Sequence, residues 1–282
     1  MILCHSAKEL AELVSQAKEQ GKSVGFVPTM GALHEGHLSL VKEAQKTNQF
    51  VVVSIFVNPL QFGEKSDFDS YPRTLGVDAR LLTDAGVDVL FAPSVQEVFP
   101  AGLSLSEPEP GRIGERFEGE YRPGHFAGML KVVSRLFDLV QPDSAYFGEK
   151  DAQQLALVRQ MVSEQIAAGR RDPMKVVGCK TIRDDYGLAF SSRNTRLRES
   201  ETDIARSLSR ALIAGSKAGK KREQILAAAK AELASEARLD YLELVDPQSF
   251  EIVEQLPAGG GLLIIAAWVG DVRLIDNLLI GG

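Results

Sequence analysis

The sequence predicts an α/β protein: a doubly wound parallel sheet followed by a second, smaller α+β domain. Three observations predict it. Over residues 1–178, short β-branched runs alternate with amphipathic helical stretches. One run, residues 50–57, is apolar at nearly every position, as in a strand covered on both faces. Over residues 179–282 the order changes to two helical stretches and then three strands with short connections, which suits an antiparallel sheet.

The elements follow in order. Ser6 and Glu9 have capping-box spacing ahead of Leu10, Leu13, Val14 and Ala17, and Gly21 ends that helix. Residues 24–28 read as a strand, 29–36 as a glycine-punctuated loop, and the stretch from His37 as a helix. After the strand at 50–57 come a helix at 74–85, a strand at 87–91, and a Gly- and Pro-rich stretch at 95–123 expected to hold loops and a hairpin. Helices at 125–140 and 151–167 bracket a strand at 144–147, and a strand at 174–177 closes this half. The second half is expected to carry helices at 199–215 and 222–237 and strands at 240–245, 262–269 and 273–275.

Composition narrows the function classes. The net charge is −6, no basic stripe is visible, and the cluster at Lys220, Lys221 and Arg222 is short, so no nucleic acid partner is expected. The two cysteines, Cys4 and Cys179, do not make a secreted disulfide framework. The first residues lack a basic and apolar leader, and the longest apolar run falls well short of the roughly 20 residues that span a bilayer. A cytoplasmic protein with no membrane partner is the expectation.

Three constellations carry chemistry. The first is Pro28-Thr29-Met30-Gly31-Ala32-Leu33-His34-Glu35-Gly36-His37. A strand runs into a loop with two glycines, and two histidines sit at a helix start. Helix N-termini offer unpaired N–H groups and the positive end of a dipole, which suits a phosphate. His34 and His37 would donate from their rings as charge develops. Zinc is disfavoured because the histidines are three apart instead of four and Gly36 interrupts the pattern.

The second constellation is Gly187-Leu188-Ala189-Phe190-Ser191-Ser192-Arg193-Asn194, with two hydroxyls and a guanidinium fork for triphosphate oxygens. The third pairs Val57-Asn58-Pro59-Leu60-Gln61-Phe62 with Gly148-Glu149-Lys150-Asp151-Ala152-Gln153-Gln154, both at the carboxyl ends of expected strands. Gln61 and Gln154 offer uncharged donors and acceptors, which leave a substrate carboxylate nucleophilic. Lys150 offers a positive charge.

A His-x-Gly-His loop after a strand of a doubly wound sheet is similar to the nucleotidyltransferase superfamily. Those segments, together with Tyr71-Pro72-Arg73-Thr74, Arg122-Pro123-Gly124-His125-Phe126 and the tail Trp268-Val269-Gly270-Asp271-Val272-Arg273-Leu274-Ile275-Asp276-Asn277, resemble the pantothenate synthetase family. The resemblance implies a Rossmann-like domain (residues 1–178) binding nucleotide and pantoate, and a lid domain (residues 179–282) carrying the Ser191-Ser192-Arg193 loop. It implies ATP-dependent condensation of pantoate with β-alanine through a pantoyl-adenylate, releasing AMP and pyrophosphate. ATP contacts are implied at Met30, Gly31, Ala32, Leu33, His34, Glu35, Gly36, His37, Gly148, Glu149, Lys150, Asp151, Ile182, Phe190, Ser191, Ser192 and Arg193. Among these, His34, His37, Lys150, Ser191, Ser192 and Arg193 would stabilise the transition state. Pantoate contacts are implied at Gln61 and Gln154, β-alanine contact at Gln61, and a homodimer is implied. Magnesium would bridge the phosphates, with Asp78 proposed beside it. Lys180 departs from the family, which usually has proline there. A cytidylyltransferase-like enzyme, which would release no AMP, and a nucleotide-binding module without catalysis are the competing readings.

Overall fold

β2 (Val24–Thr29) and β3 (Phe50–Ile55) are buried along almost their whole length, because helices cover both faces of the sheet they centre. The computed structural model describes residues 1–61, 71–103 and 107–281; Phe62 of the Val57–Phe62 motif lies outside them. The remaining strands of this sheet are β1 (Ile2–Cys4), β4 (Val89–Phe91), β5 (Ser144–Gly148) and β6 (Lys175–Cys179). All neighbours run parallel in the order β1-β4-β3-β2-β5-β6. The chain fills the sheet outward from β2 toward β4, then returns to add β5 on β2's other side. The switch point therefore lies between β2 and β5, and open parallel sheets bind ligands at the carboxyl ends of strands there.

The helices form where the apolar spacing expects them. Ala7–Glu19 is capped by Ser6 Oγ, which accepts from Glu9 N at 3.2 Å, and it buries Leu10, Val14 and Ala17. Glu35–Thr47 buries Leu40, Val41 and Ala44. His125–Val140 buries a broad apolar face that includes Phe126, Met129, Leu130, Val133, Leu136 and Phe137. Val27, Val53, Leu82, Leu90 and Tyr146 share one core cluster with Leu40, Val41 and Ala44.

Three expectations are corrected. β1 was not expected: its three residues, Ile2–Cys4, are too few to show a strand's alternation. The described part of 95–123 holds no hairpin; it forms one-turn helices at Val95–Val98 and Glu118–Tyr121 and a 3-10 turn at Gly111–Glu115. The last strand is longer than residues 273–275.

The described residues divide into two compact units. The first comprises Met1–Gly148 and Leu157–Cys179, the second Glu149–Ala156 and Lys180–Gly282. In the second unit β7 (Arg238–Val245), β8 (Gly261–Val269) and β9 (Val272–Ile280) form an antiparallel sheet in that order. Helices Thr202–Ser216 and Arg222–Glu232 pack on it through Leu208, Leu212, Ile225, Leu263 and Ile265. The single tryptophan, Trp268, lies on β8 beneath the Arg238 guanidinium. Both cysteines are buried in the first unit. Burial and the neighbouring Glu9 push the Cys4 thiol up to about 12.

Candidate active site

The loop after β2 is built on a buried carboxylate. Asp78 is 1% exposed and lies in the first turn of helix Leu75–Asp84. Its Oδ2 accepts from Ala32 N at 3.0 Å and Thr74 Oγ1 at 3.1 Å, and its Oδ1 accepts from Leu33 N at 2.9 Å. The loop needs that hold. Gly31 and Ala32 have φ of +82° and +50°, and a left-handed alanine is unfavourable on its own. A Cβ on Gly31 would lie 3.0 Å from Ile55 Cγ2 and 3.1 Å from Asp78 Oδ2, so glycine also provides room. Asp78, the carboxylate expected beside magnesium, thus has both oxygens already engaged by protein donors.

Helix Glu35–Thr47 begins immediately after. His34 is its N-cap, and its Nδ1 accepts from Gly36 N at 3.1 Å. His37 returns the arrangement, with Nδ1 accepting from His34 N at 3.3 Å. An Nδ1 that accepts carries no hydrogen, so each neutral ring bears its N–H on Nε2. The rings lie side by side, centroids 4.1 Å apart. This refines the expected anion cradle. The amides of Ala32 and Leu33 are already spent on Asp78 and that of Gly36 on His34, which leaves the imidazoles as the loop's characteristic donors.

Gln61 stands in the same unit, at the end of the Pro59–Gln61 turn after β3. Its Nε2 donates to Met30 Sδ at 2.7 Å and its Oε1 accepts from Asn58 Nδ2 at 3.1 Å, so both ends of the amide are oriented. Asn58, 1% exposed, also accepts from Leu60 N and donates to Gly128 O. His125 holds the Gln61 carbonyl through Nδ1 at 3.0 Å, while its Nε2 lies 3.1 Å from Arg122 Nη1. Arginine only donates, so Nε2 accepts and Nδ1 carries the hydrogen that Gln61 O receives. Helix His125–Val140 comes so close that a Cβ on Gly128 would sit 2.1 Å from Leu60 O.

The other expected residues belong to the second unit, apart from Gly148 at the end of β5. Glu149–Asp151 form a 3-10 turn, with Lys150 Nζ 3.9 Å from Asp151 Oδ1. Gln154 is half-buried on helix Ala152–Ala167. Ile182 and Phe190 face each other across a short hairpin, Phe190 N donating to Ile182 O at 3.0 Å. Lys180 is exposed and precedes that hairpin. Ser191 caps the 3-10 turn Ser192–Arg196 by accepting from Arg193 N at 3.3 Å. Arg183 makes a two-pronged ion pair with Asp276 of β9, at 2.5 and 2.8 Å. Burial draws the Arg183 guanidinium downward, and its bonds to Asp276 outweigh that and leave it raised.

Sequence reasoning missed the supports: Asp78 as an anchor, Asn58, Arg122 with His125, and Asp276 with Asn277. Most stood inside quoted motifs, but only their contacts give them a role.

Residues 2–279 match the family described as Pantoate-beta-alanine ligase. A pantothenate synthetase from a Nocardioides species is 48% identical, with 98% of this chain and 84% of the relative covered. One from Thermobifida fusca is 47% identical over 95% and 93%. The crystal structure of the Thermus thermophilus pantothenate synthetase superposes with a TM-score of 0.91 at 44% identity, covering 99% of each chain. A Francisella tularensis pantoate–beta-alanine ligase, solved with beta-gamma ATP and beta-alanine, gives 0.81 at 36% identity over 99% and 97%.

Proposed function

The chain belongs to the pantoate–beta-alanine ligase family and is an enzyme of that type, and on that premise we propose how its residues share the reaction. The pantoate carboxylate attacks the α-phosphorus of ATP. A bond forms between a carboxylate oxygen and phosphorus, and the bond to the β-phosphate oxygen breaks, releasing pyrophosphate. The β-alanine amine then attacks the acyl carbon. The C–O bond breaks, AMP departs with an oxygen that came from pantoate, and the amine loses a proton to solvent.

The observation that carries the residue roles is the paired tie-back of His34 and His37, which fixes the hydrogen of each neutral ring on Nε2. Fixed donors need no reorganisation as negative charge grows on phosphate oxygens. Lys150, Ser191, Ser192 and Arg193 supply the remaining charge and donors. Met30–Leu33, Glu35, Gly36, Gly148, Glu149, Asp151, Ile182 and Phe190 line the nucleotide. Gln61 and Gln154 orient pantoate, and Gln61 also meets β-alanine. An amide held at both ends suits this task, because it positions a carboxylate without neutralising it. Magnesium accompanies the ATP phosphates, with no carboxylate of this chain assigned to it. The working form is a cytoplasmic homodimer.

The test is isotopic. Pantoate labelled with 18O in its carboxylate should transfer one label to AMP, and AMP should form in amounts equal to the amide product. Label found in pyrophosphate or retained wholly in the product would overturn attack at the α-phosphorus. ATP turnover without AMP would favour a nucleotidyltransferase that keeps the nucleotide on its product.

A further inference from the structure

The last strand carries a dipeptide that the reaction does not use directly. Asn277 is 9% exposed on β9, and its Nδ2 donates to Glu149 O at 2.9 Å and to Lys150 O at 2.8 Å. Both amide hydrogens are therefore spent on consecutive carbonyls of one turn. Two carbonyl partners also settle the orientation of the amide, since its oxygen could not face them. Asp276 beside it is 5% exposed and receives the Arg183 guanidinium on both oxygens, and Arg183 Nη2 returns to Asn277 O at 3.3 Å. Asn277 N donates to Asp276 Oδ1 at 2.8 Å. Asn277 is thus fixed from its backbone side while its side chain grips the turn.

The chemistry is selective. Carbonyl oxygens beside a lysine meant for a phosphate present negative ends to an anion. A side chain that covers two of them needs two hydrogens and no charge of its own, and among side chains of this length only asparagine has both. Aspartate would set a carboxylate against two carbonyls, and serine offers a single hydrogen.

We propose that Asn277 is a positioning residue for nucleotide binding, acting by setting the backbone of Glu149–Lys150 and hence the direction of the Lys150 ammonium. This rests on the reading of Lys150 as a phosphate contact.

A double-mutant cycle separates the two claims. The affinity of α,β-methylene ATP is measured by calorimetry for the parent protein, Asn277→Asp, Lys150→Ala and the double variant. Asn277→Asp should weaken binding about tenfold, and the same change in the Lys150→Ala background by less than about twofold, because its effect runs through the missing ammonium. The KM for pantoate should stay within about twofold of the parent value. Equal losses in both backgrounds, or no loss in either, would overturn the positioning role while leaving Lys150 in place. Undiminished affinity in Lys150→Ala alone would sink the phosphate contact and the inference with it. Should Asn277→Asp fail to fold, Asn277→Ala removes the grip without adding charge, and the same cycle applies with a loss of about fivefold.

Discussion

The loop after β2 and the turn after β5 follow two adjacent strands of one sheet, yet opposite halves of the peptide group hold them. In the first, a buried carboxylate takes backbone N–H groups, with Asp78 receiving Ala32 and Leu33. In the second, a buried amide gives to backbone carbonyls, with Asn277 donating to Glu149 and Lys150. The anchor decides what remains for a ligand. Where the amides of Ala32 and Leu33 are consumed, donors come from the His34 and His37 rings. Where carbonyls are covered, a lysine is left among fewer competing acceptors. Under the residue roles proposed above, both arrangements would favour an anion by different routes.

The largest expected effect comes from removing the first anchor. Asp78→Ala strands two partly buried N–H groups and releases a left-handed Ala32. It should cost about 3 kcal/mol of stability and roughly 100-fold in kcat/KM, read by urea unfolding and by AMP release. Near-parental turnover would show that the loop holds itself and would erase the comparison. A smaller, more selective effect should follow Gly128→Ala. The new methyl would displace the Leu60 carbonyl and with it Gln61, so the KM for pantoate should rise about tenfold with the KM for ATP unchanged. Equal rises in both would mean that the helix and not the Gln61 turn had moved.

The smallest effect compares two carboxylates doing one job. Asp184 also accepts two backbone amides, Tyr186 N and Leu188 N, and pairs with Arg206, but it is partly exposed. Burial raises its pKa; the Leu188 amide, Arg206 and the Tyr186 amide outweigh that and hold it below the usual carboxylate range. A lowered folded value means that its stabilisation is complete above the ordinary aspartate pKa, near 3.9, and fades as pH falls through the folded value. Acid titration followed by Trp268 fluorescence should show this loss in the parent and a flatter profile in Asp184→Asn. Identical profiles would remove the linkage.

Much of this was legible in the sequence. Apolar runs reveal strands because burial on both faces leaves no polar positions, and the histidine loop lies within ten consecutive residues. The anchors were not legible, because they act across distance in the chain. Asp78 and Ala32 are 46 residues apart, and Asn277 and Lys150 are 127. Nothing in a hydropathy pattern marks which polar side chain turns inward. Asp276 and Asn277 show the cost of that. Two polar residues in succession read as the end of a strand, yet β9 continues to Ile280 because both are buried with hydrogen-bonded side chains. Residues 95–123 fail differently, since one-turn helices are too short to show a period.

The placement of rare side chains gives this protein separate optical and chemical gauges. Both thiols belong to the first unit and the lone indole to the second. A thiol pushed up to about 12 stays protonated at neutral pH, and burial at Cys4 shields it from reagents. Alkylation at Cys4 therefore times the opening of the parallel sheet, while indole emission follows the antiparallel one, and a disagreement between the two clocks would measure how independently the units unfold.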